Sequence, residues 1–127
     1  MALDLTEVGF ANEAFYLAFE AKDYAAMAHL WSAAEGSLCL HPGWPVLRGR
    51  DAILASWRKI LANPEQGQVS FYGAQVSAVD AGVVMVSCYE QAAGSVMVAT
   101  NLFREEDGQP RLFSHQAGFC GHPPAQT

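Results

Sequence analysis

Charged residues are the first thing this chain is short of. Asp, Glu, Lys and Arg make up 16% of its 127 residues, against about a quarter in an ordinary soluble domain. Cations are rarer than anions, 7 against 13, for a net charge of −6. Lys22, Arg48, Arg50, Arg58, Lys59, Arg104 and Arg111 are scattered, with no basic stripe between aromatics. Nucleic acid therefore has no electrostatic footprint to bind, and an acidic membrane surface is an equally poor partner. No apolar run approaches the ~20 residues of a membrane-spanning helix. The stretch from Met1 to Phe10 carries Asp4 and Glu7 where a secretory signal would carry a basic start. The expectation is a soluble, cytoplasmic protein with neither nucleic acid nor membrane as partner.

Cysteine is also sparse. Cys39, Cys88 and Cys120 form no CxxC pair and are odd in number, so neither a disulfide framework nor a zinc knuckle is indicated. Cys39 and Cys88 stand in apolar runs, where a reduced thiol behaves as a small buried hydrophobe. His29, His41, His115 and His122 show no HxH or HExxH spacing, which leaves no metal site to expect. GxGxxG after a strand, GxxxxGK[ST] and GxSxG are all missing, so nucleotide binding and serine hydrolysis have no motif support and no cofactor is expected.

What is present fits one domain over residues 1–120, with a loose tail over 121–127 that contains Pro123-Pro124. A hydrophobic share of 51% with so few charges suggests more apolar surface than a monomer hides, hence a homodimer. From Asp4 to Ala21, Leu5, Val8, Phe15 and Phe19 recur at helical spacing after a capping-box-like Asp4 and Glu7. Asn12 and Tyr16 lie one turn apart there, either bordering a polar cavity or with the tyrosine hydroxyl at the helix edge in water. Asp23 can cap a second helix carrying Tyr24, Met27, Leu30 and Trp31. Ser37 to His41 reads as a short strand with Cys39 and His41 on one face, stopped by Pro42. Gly49-Arg50-Asp51 opens a third helix with Ile53, Trp57, Ile60 and Leu61 on its apolar stripe.

Beyond Gly67 the period changes. Val69 to Val79, Val83 to Gln91, Val96 to Arg104 and Arg111 to Phe119 read as four long strands joined by turns at Asp80-Ala81-Gly82, Ala93-Gly94 and Asp107-Gly108. Helices followed by strands is the α+β pattern. Such an antiparallel meander buries one face against three helices by curling around them, which leaves a conical cavity at the wide end.

The densest stretch is Cys39-Leu40-His41-Pro42-Gly43-Trp44-Pro45, followed by Gly49-Arg50-Asp51 and Ser56-Trp57. Together with Ala99-Thr100-Asn101 and Ser114-His115-Gln116-Ala117-Gly118, it resembles the nuclear-transport-factor-2-like superfamily, and within it the bacterial SnoaL-like domain proteins, from about Gly9 to Gly118. The resemblance implies a cone-shaped roll, a strongly curved antiparallel sheet wrapped around N-terminal helices. It also implies a homodimer through the outer sheet face and a small hydrophobic ligand between sheet and helices. Members include isomerases, cyclases, dehydratases, hydrolases and non-catalytic modules, so the fold alone does not choose a chemistry.

Two histidines are candidates for acid–base work. His41 ends a strand beside Trp44 in a proline-stiffened loop, either as a proton-transfer group or as a pin on a backbone carbonyl. His115 and Asn101 would stand opposite each other on one face given a bulge at Asp107-Gly108-Gln109, and on split faces given a two-residue turn. If they meet, His115 transfers the proton while Asn101, with Tyr16, positions the ligand; the alternative is a polar pair that satisfies itself. Trp44, Trp57 and Phe103 are candidate aromatic walls, although such spacing also suits plain core. Arg48 and Arg50 are expected to pair with acids such as Asp51 or to stay in solvent. Glu90 is the carboxylate most easily placed near the cavity but reads first as a solvated acid at a strand end, and the lack of Asp or Glu inside the last two strands speaks against the family's carboxylate chemistries.

Overall fold

The computed structural model describes residues 3–126. Its first helix, α1 (Leu5–Ala21), starts where the Asp4 carboxylate accepts the Thr6 and Glu7 backbone N–H groups at 2.7 and 3.4 Å. Lys22 ends it in the left-handed conformation (φ 57°), and Asp23 at once caps α2 (Tyr24–Leu30) through the Ala26 N–H. Trp31 turns out to lie beyond this helix, extended, bridging to Leu112. The α2 carbonyls left open by that early stop are taken by Arg50, whose guanidinium donates to Trp31 at 2.5 Å and Ala28 at 3.0 Å. Arg50 is thus a helix-end clamp, against the expectation of an acid partner or solvent. The carbonyls at the end of this short helix would otherwise lack partners, and the guanidinium fork satisfies two of them at once.

The remaining elements are β1 (Leu38–Leu40), β2 (Leu47–Arg48), α3 (Arg50–Ala62), β3 (Val69–Asp80), β4 (Val83–Ala92), β5 (Ser95–Glu106) and β6 (Gln109–Phe119). They form one six-stranded sheet in the order β2-β1-β6-β5-β4-β3. The sheet is mixed rather than antiparallel throughout: β1 runs parallel to β6, with Cys39 beside His115. Strand β2, which the sequence reading lacked, pairs with β1 for two residues. Helix α1 touches β3, β4 and β6, strands up to three places apart, so the sheet bends round it into the cone-shaped α+β roll. Two irregularities help the bend: Gly73, at φ 67°, lies within a register shift of β3, and Phe113 is an extra residue in β6.

That bulge decides the site. The β5–β6 turn is a two-residue Asp107-Gly108 turn with φ of 52° and 78°. Phe103 pairs with Leu112 but Leu102 pairs with Ser114, leaving Phe113 unopposed. Asn101 and His115 therefore come opposite each other through a bulge inside β6, not through one in the turn.

The inward face carries Val84, Val86, Cys88 and Glu90 of β4, Ala99, Asn101 and Phe103 of β5, and Leu112, His115 and Ala117 of β6, all buried. Against it lie Val8, Phe15 and Tyr16 of α1 and Ile53, Trp57 and Leu61 of α3. Phe15 meets the Trp57 ring edge-to-face at 5.4 Å, a contact worth about 0.5–1.5 kcal/mol beyond burial. At the C-terminus the Tyr72 hydroxyl donates to the Pro124 carbonyl at 2.9 Å, which ties the tail down at that point; Thr127 lies outside the described residues. No helix among the described residues is long and apolar enough to cross a membrane.

Candidate functional site

A cavity of about 220 Å³ opens between the inner sheet face and the helices, walled by Phe19, His41, Trp44, Glu90, Met97 and His115 among others. The turn after β1 builds its rim. Gly43 adopts φ 83°, and the Trp44 N–H closes on the His41 carbonyl at 3.0 Å, so Pro42-Gly43 sit at the centre of a tight turn. Trp44 thereby folds back against the His41 ring at 5.0 Å, itself 42% exposed. His41 is buried; its Nε2 lies 2.9 Å from Ser56 Oγ, and its ring packs edge-on to Trp57 at 4.8 Å.

Behind this rim runs a buried polar chain. Asn101 Nδ2 donates to Asn12 Oδ1 at 2.8 Å and reaches the Tyr16 hydroxyl at 3.3 Å. Tyr16 in turn donates to Glu90 Oε2 at 2.6 Å. His115 Nδ1 stands 2.6 Å from Asn101 Oδ1, and its Nε2 faces Glu90 Oε2 at 3.9 Å. All five residues are at most 5% exposed, so each one's chemistry is set by its neighbours rather than by water.

Burial drives every titratable group here toward its uncharged form. It lowers His41 to about 4 and His115 to about 3, the latter helped by His41. It raises the Glu90 carboxyl, although the Tyr16 hydroxyl partly offsets the rise. Tyr16 itself is pushed well up, by burial first and by Glu90 second. The thiols of Cys39 and Cys88 go up to about 12 and about 11, again by burial, which makes them inert. Among the described residues no group of His, Cys, Asp and Glu converges as a metal set.

Residues 8–120 match the family model of the SnoaL-like domain. The chain belongs to that family. Among solved structures it is similar to a putative dehydratase of the NTF2-like family from Streptomyces avermitilis, with 32% identity, a TM-score of 0.82, and 92% and 96% of the two chains covered. A putative calcium/calmodulin-dependent protein kinase type II association domain from Thiobacillus denitrificans follows at 28% identity and TM-score 0.74, covering 87% of this chain and 92% of the other. A cystatin-like protein from Caulobacter vibrioides, at 12% identity and TM-score 0.79 over 91% and 89%, shows the fold alone. No curated protein matches the sequence.

Within this SnoaL-like frame the structure brings His41, Trp44 and His115 to the cavity wall. Asn101 and Tyr16 stand one layer back in the polar chain. Trp57 and Phe103 are fully buried core, Trp57 beneath the two imidazoles and Phe103 paired with Val84 and Leu112; neither lines the cavity. Glu90 is the correction. It is 5% exposed on the cavity wall, not solvated at a strand end, because the β4 ladder continues past it to Ala92 and the Tyr16 hydroxyl reaches it. The signal was in the sequence: positions 84, 86, 88 and 90 alternate onto one face. Ser56 and Asn12 had weaker signals, since each is a single polar residue on an otherwise apolar helix stripe.

Proposed function

We propose that this SnoaL-like domain binds a small hydrophobic carbonyl compound in its cavity and moves a proton on it, with Glu90 and His115 as the acid–base pair. The observation that carries this reading is the facing of Glu90 Oε2 and His115 Nε2 at 3.9 Å on one cavity wall. Burial raises the carboxyl's pKa and lowers the imidazole's, so it favours the uncharged form of each, the pairing in which one group gives a proton while the other takes one. Asn101 and Tyr16 orient the pair, and His41 with Trp44 encloses the ligand's apolar body. At about 220 Å³ the cavity falls below the ~300–1,000 Å³ of drug-sized sites, which favours a compact, single-ring compound. The Streptomyces relative, whose name proposes a dehydratase, agrees with proton-transfer chemistry without identifying a substrate.

The test is α-proton exchange in D2O for a panel of small cyclic ketones, followed by proton NMR. The wild type should accelerate exchange by at least about 10³-fold over buffer, and Glu90→Gln and His115→Gln should each remove about 10²-fold of that, the usual worth of a placed acid or base. Ketones that bind without exchanging would favour the second reading, a non-catalytic ligand-sensing module. One observation supports that reading too: Asn101, Tyr16 and Glu90 are already bonded to one another, and Asn101 to Asn12 Oδ1, without any ligand.

Homodimerisation through the outer sheet face belongs to the same proposal. Tyr72, Tyr89 and Val98 form one cross-strand row on that face, and Met85 pairs with Leu102 in another. Val98 is 43% exposed, so the band is an apolar surface in want of a cover. Sedimentation should report a dimer, and Met85→Glu a monomer of unchanged helix and strand content; a wild-type monomer at micromolar concentration would refute it. Three free thiols, two of them buried, support a cytoplasmic location.

A further inference from the structure

The hydrogen bonds around the cavity determine which kind of ligand atom its polar wall can receive, a point that rests on the ligand-binding reading above. Asn101 spends its amide hydrogens on Asn12 Oδ1 and Tyr16 Oη, so its Oδ1 is left as an acceptor. His115 Nδ1, 2.6 Å from that oxygen, must then carry the ring's proton. A neutral imidazole has only one N–H, which leaves Nε2 as a bare lone pair beside Glu90. His41 is committed in the same way: the Ser56 hydroxyl donates to the Ile53 carbonyl at 2.6 Å, so its oxygen accepts from His41 Nε2. The Tyr16 hydrogen goes to Glu90, and at the rim the Gln66 amide leans on the Gly67 carbonyl. The indole N–H of Trp57 and the side-chain amide nitrogen of Asn12 are unpaired, but both residues stand behind the wall and neither lines the cavity. On the buried wall itself the donors are spent, and the one left to offer is the Glu90 carboxyl in its protonated form.

Cations are equally out of reach. Arg50 holds the α2 carbonyls, Lys22 donates to the Asn63 carbonyl, and Arg58 lies over the Tyr24 ring at 4.1 Å. Arg104 lies over Phe113, and Arg111 turns to the Pro110 carbonyl. Arg48 and the exposed Lys59 are not among the residues that line the cavity. An anionic ligand would enter a buried site with no counter-charge, beside a carboxyl group.

We propose that the cavity takes an uncharged hydroxy-carbonyl compound through its hydroxyl, which donates to His115 Nε2 and accepts the proton of Glu90, while carboxylates of the same shape are refused. A hydroxyl is the neutral group that donates and accepts at one atom. Ordinary bonds of ~2.8 Å to each partner can both be made from one oxygen across a 3.9 Å separation. The ring of the ligand then lies against Phe19, Met97 and Trp44.

Four probes of one shape test this on the full chain at pH 7: cyclohexanol, cyclohexanone, cyclohexanecarboxylate and cyclohexylammonium, by titration calorimetry. Cyclohexanol should bind at least tenfold tighter than cyclohexanone and move the His115 Nε2 resonance in 15N NMR, and the carboxylate should give no heat of binding. Cyclohexanone equal to or better than the alcohol overturns the hydroxyl assignment while the ligand cavity stands. The carboxylate or the ammonium binding tightest overturns it as well, and points to a Glu90 that is respectively compensated or ionised. Failure of all four to bind removes the ligand-binding reading and this inference together.

Discussion

Glu90 is held where a carboxylate is least comfortable, and the pH dependence of stability should show it. Its folded-state pKa is raised by burial, so the stability it contributes is present below the unfolded value of about 4.5 and is lost as pH rises through the folded value. His41 and His115 act in the opposite sense: lowered to about 4 and about 3, they contribute stability that is complete above their unfolded value of about 6.5 and is lost as pH falls toward those folded values. Between about pH 5 and 6 the two histidines should therefore make the wild type gain stability with rising pH, and Glu90 should make that gain smaller. Glu90→Gln removes the opposing group. Urea melts of that variant should show the slope steepened toward two protons and a chain more stable than wild type at pH 8 but not at pH 4. An unchanged slope would mean that Glu90 is ionised in the fold. Strand parity puts His41 on one face with Cys39, but it leaves the face of His115 open until the β6 bulge is known, and it reads inward for Glu90 only once β4 continues to Ala92. The tautomers are beyond sequence because they depend on the direction of the Asn101 amide.

At the level of elements, caps and turns were readable because their chemistry is local. Asp4, Asp23, the Asp107-Gly108 pair and Gly94 all sit where their residue types demand. Strand β2 was not readable, since two residues between Pro45 and Gly49 carry no period, and its pairing is fixed by β1. The bulge at Phe113 was not readable either: an extra residue in a ladder leaves no compositional mark, though it decides whether Asn101 meets His115. One turn is suboptimal in a way that can be measured. Ala93 occupies φ 49° at the first position of its two-residue turn, with Gly94 at φ 82° behind it. An L-residue with a Cβ and no local hydrogen bond is strained there by about 1–2 kcal/mol, whereas Asn tolerates that conformation and Asn-Gly is the preferred pair. Ala93→Asn should raise stability by about 0.5–1 kcal/mol in thermal melts with no change in ligand binding. A loss of stability would show that the turn is not of this type.

At the scale of the whole molecule, the sheet is longer than its helices can fill, and the hollow left over is the feature most exposed to a physical test. A small domain normally packs its interior to crystal-like density, so a cavity of about 220 Å³ withholds apolar contacts that the fold would otherwise gain. Ala92 lies on its wall, half-buried, opposite Ser95 on β5 and Val69 on β3. Ala92→Leu adds three carbons that can turn into the hollow from a strand whose backbone need not move. At ~0.8 kcal/mol per buried methylene, discounted for partial exposure and side-chain ordering, the gain should be about 1 kcal/mol in a urea melt. The same variant should lose its affinity for whichever cyclohexyl probe the wild type binds, since the ring and the new side chain compete for one space. Stability and binding would then move in opposite directions from one substitution, the signature of an interior left open for a ligand rather than one that packs imperfectly. If Ala92→Leu instead lowers stability by the 1–3 kcal/mol typical of overpacking, the space is already full and the cone is a core.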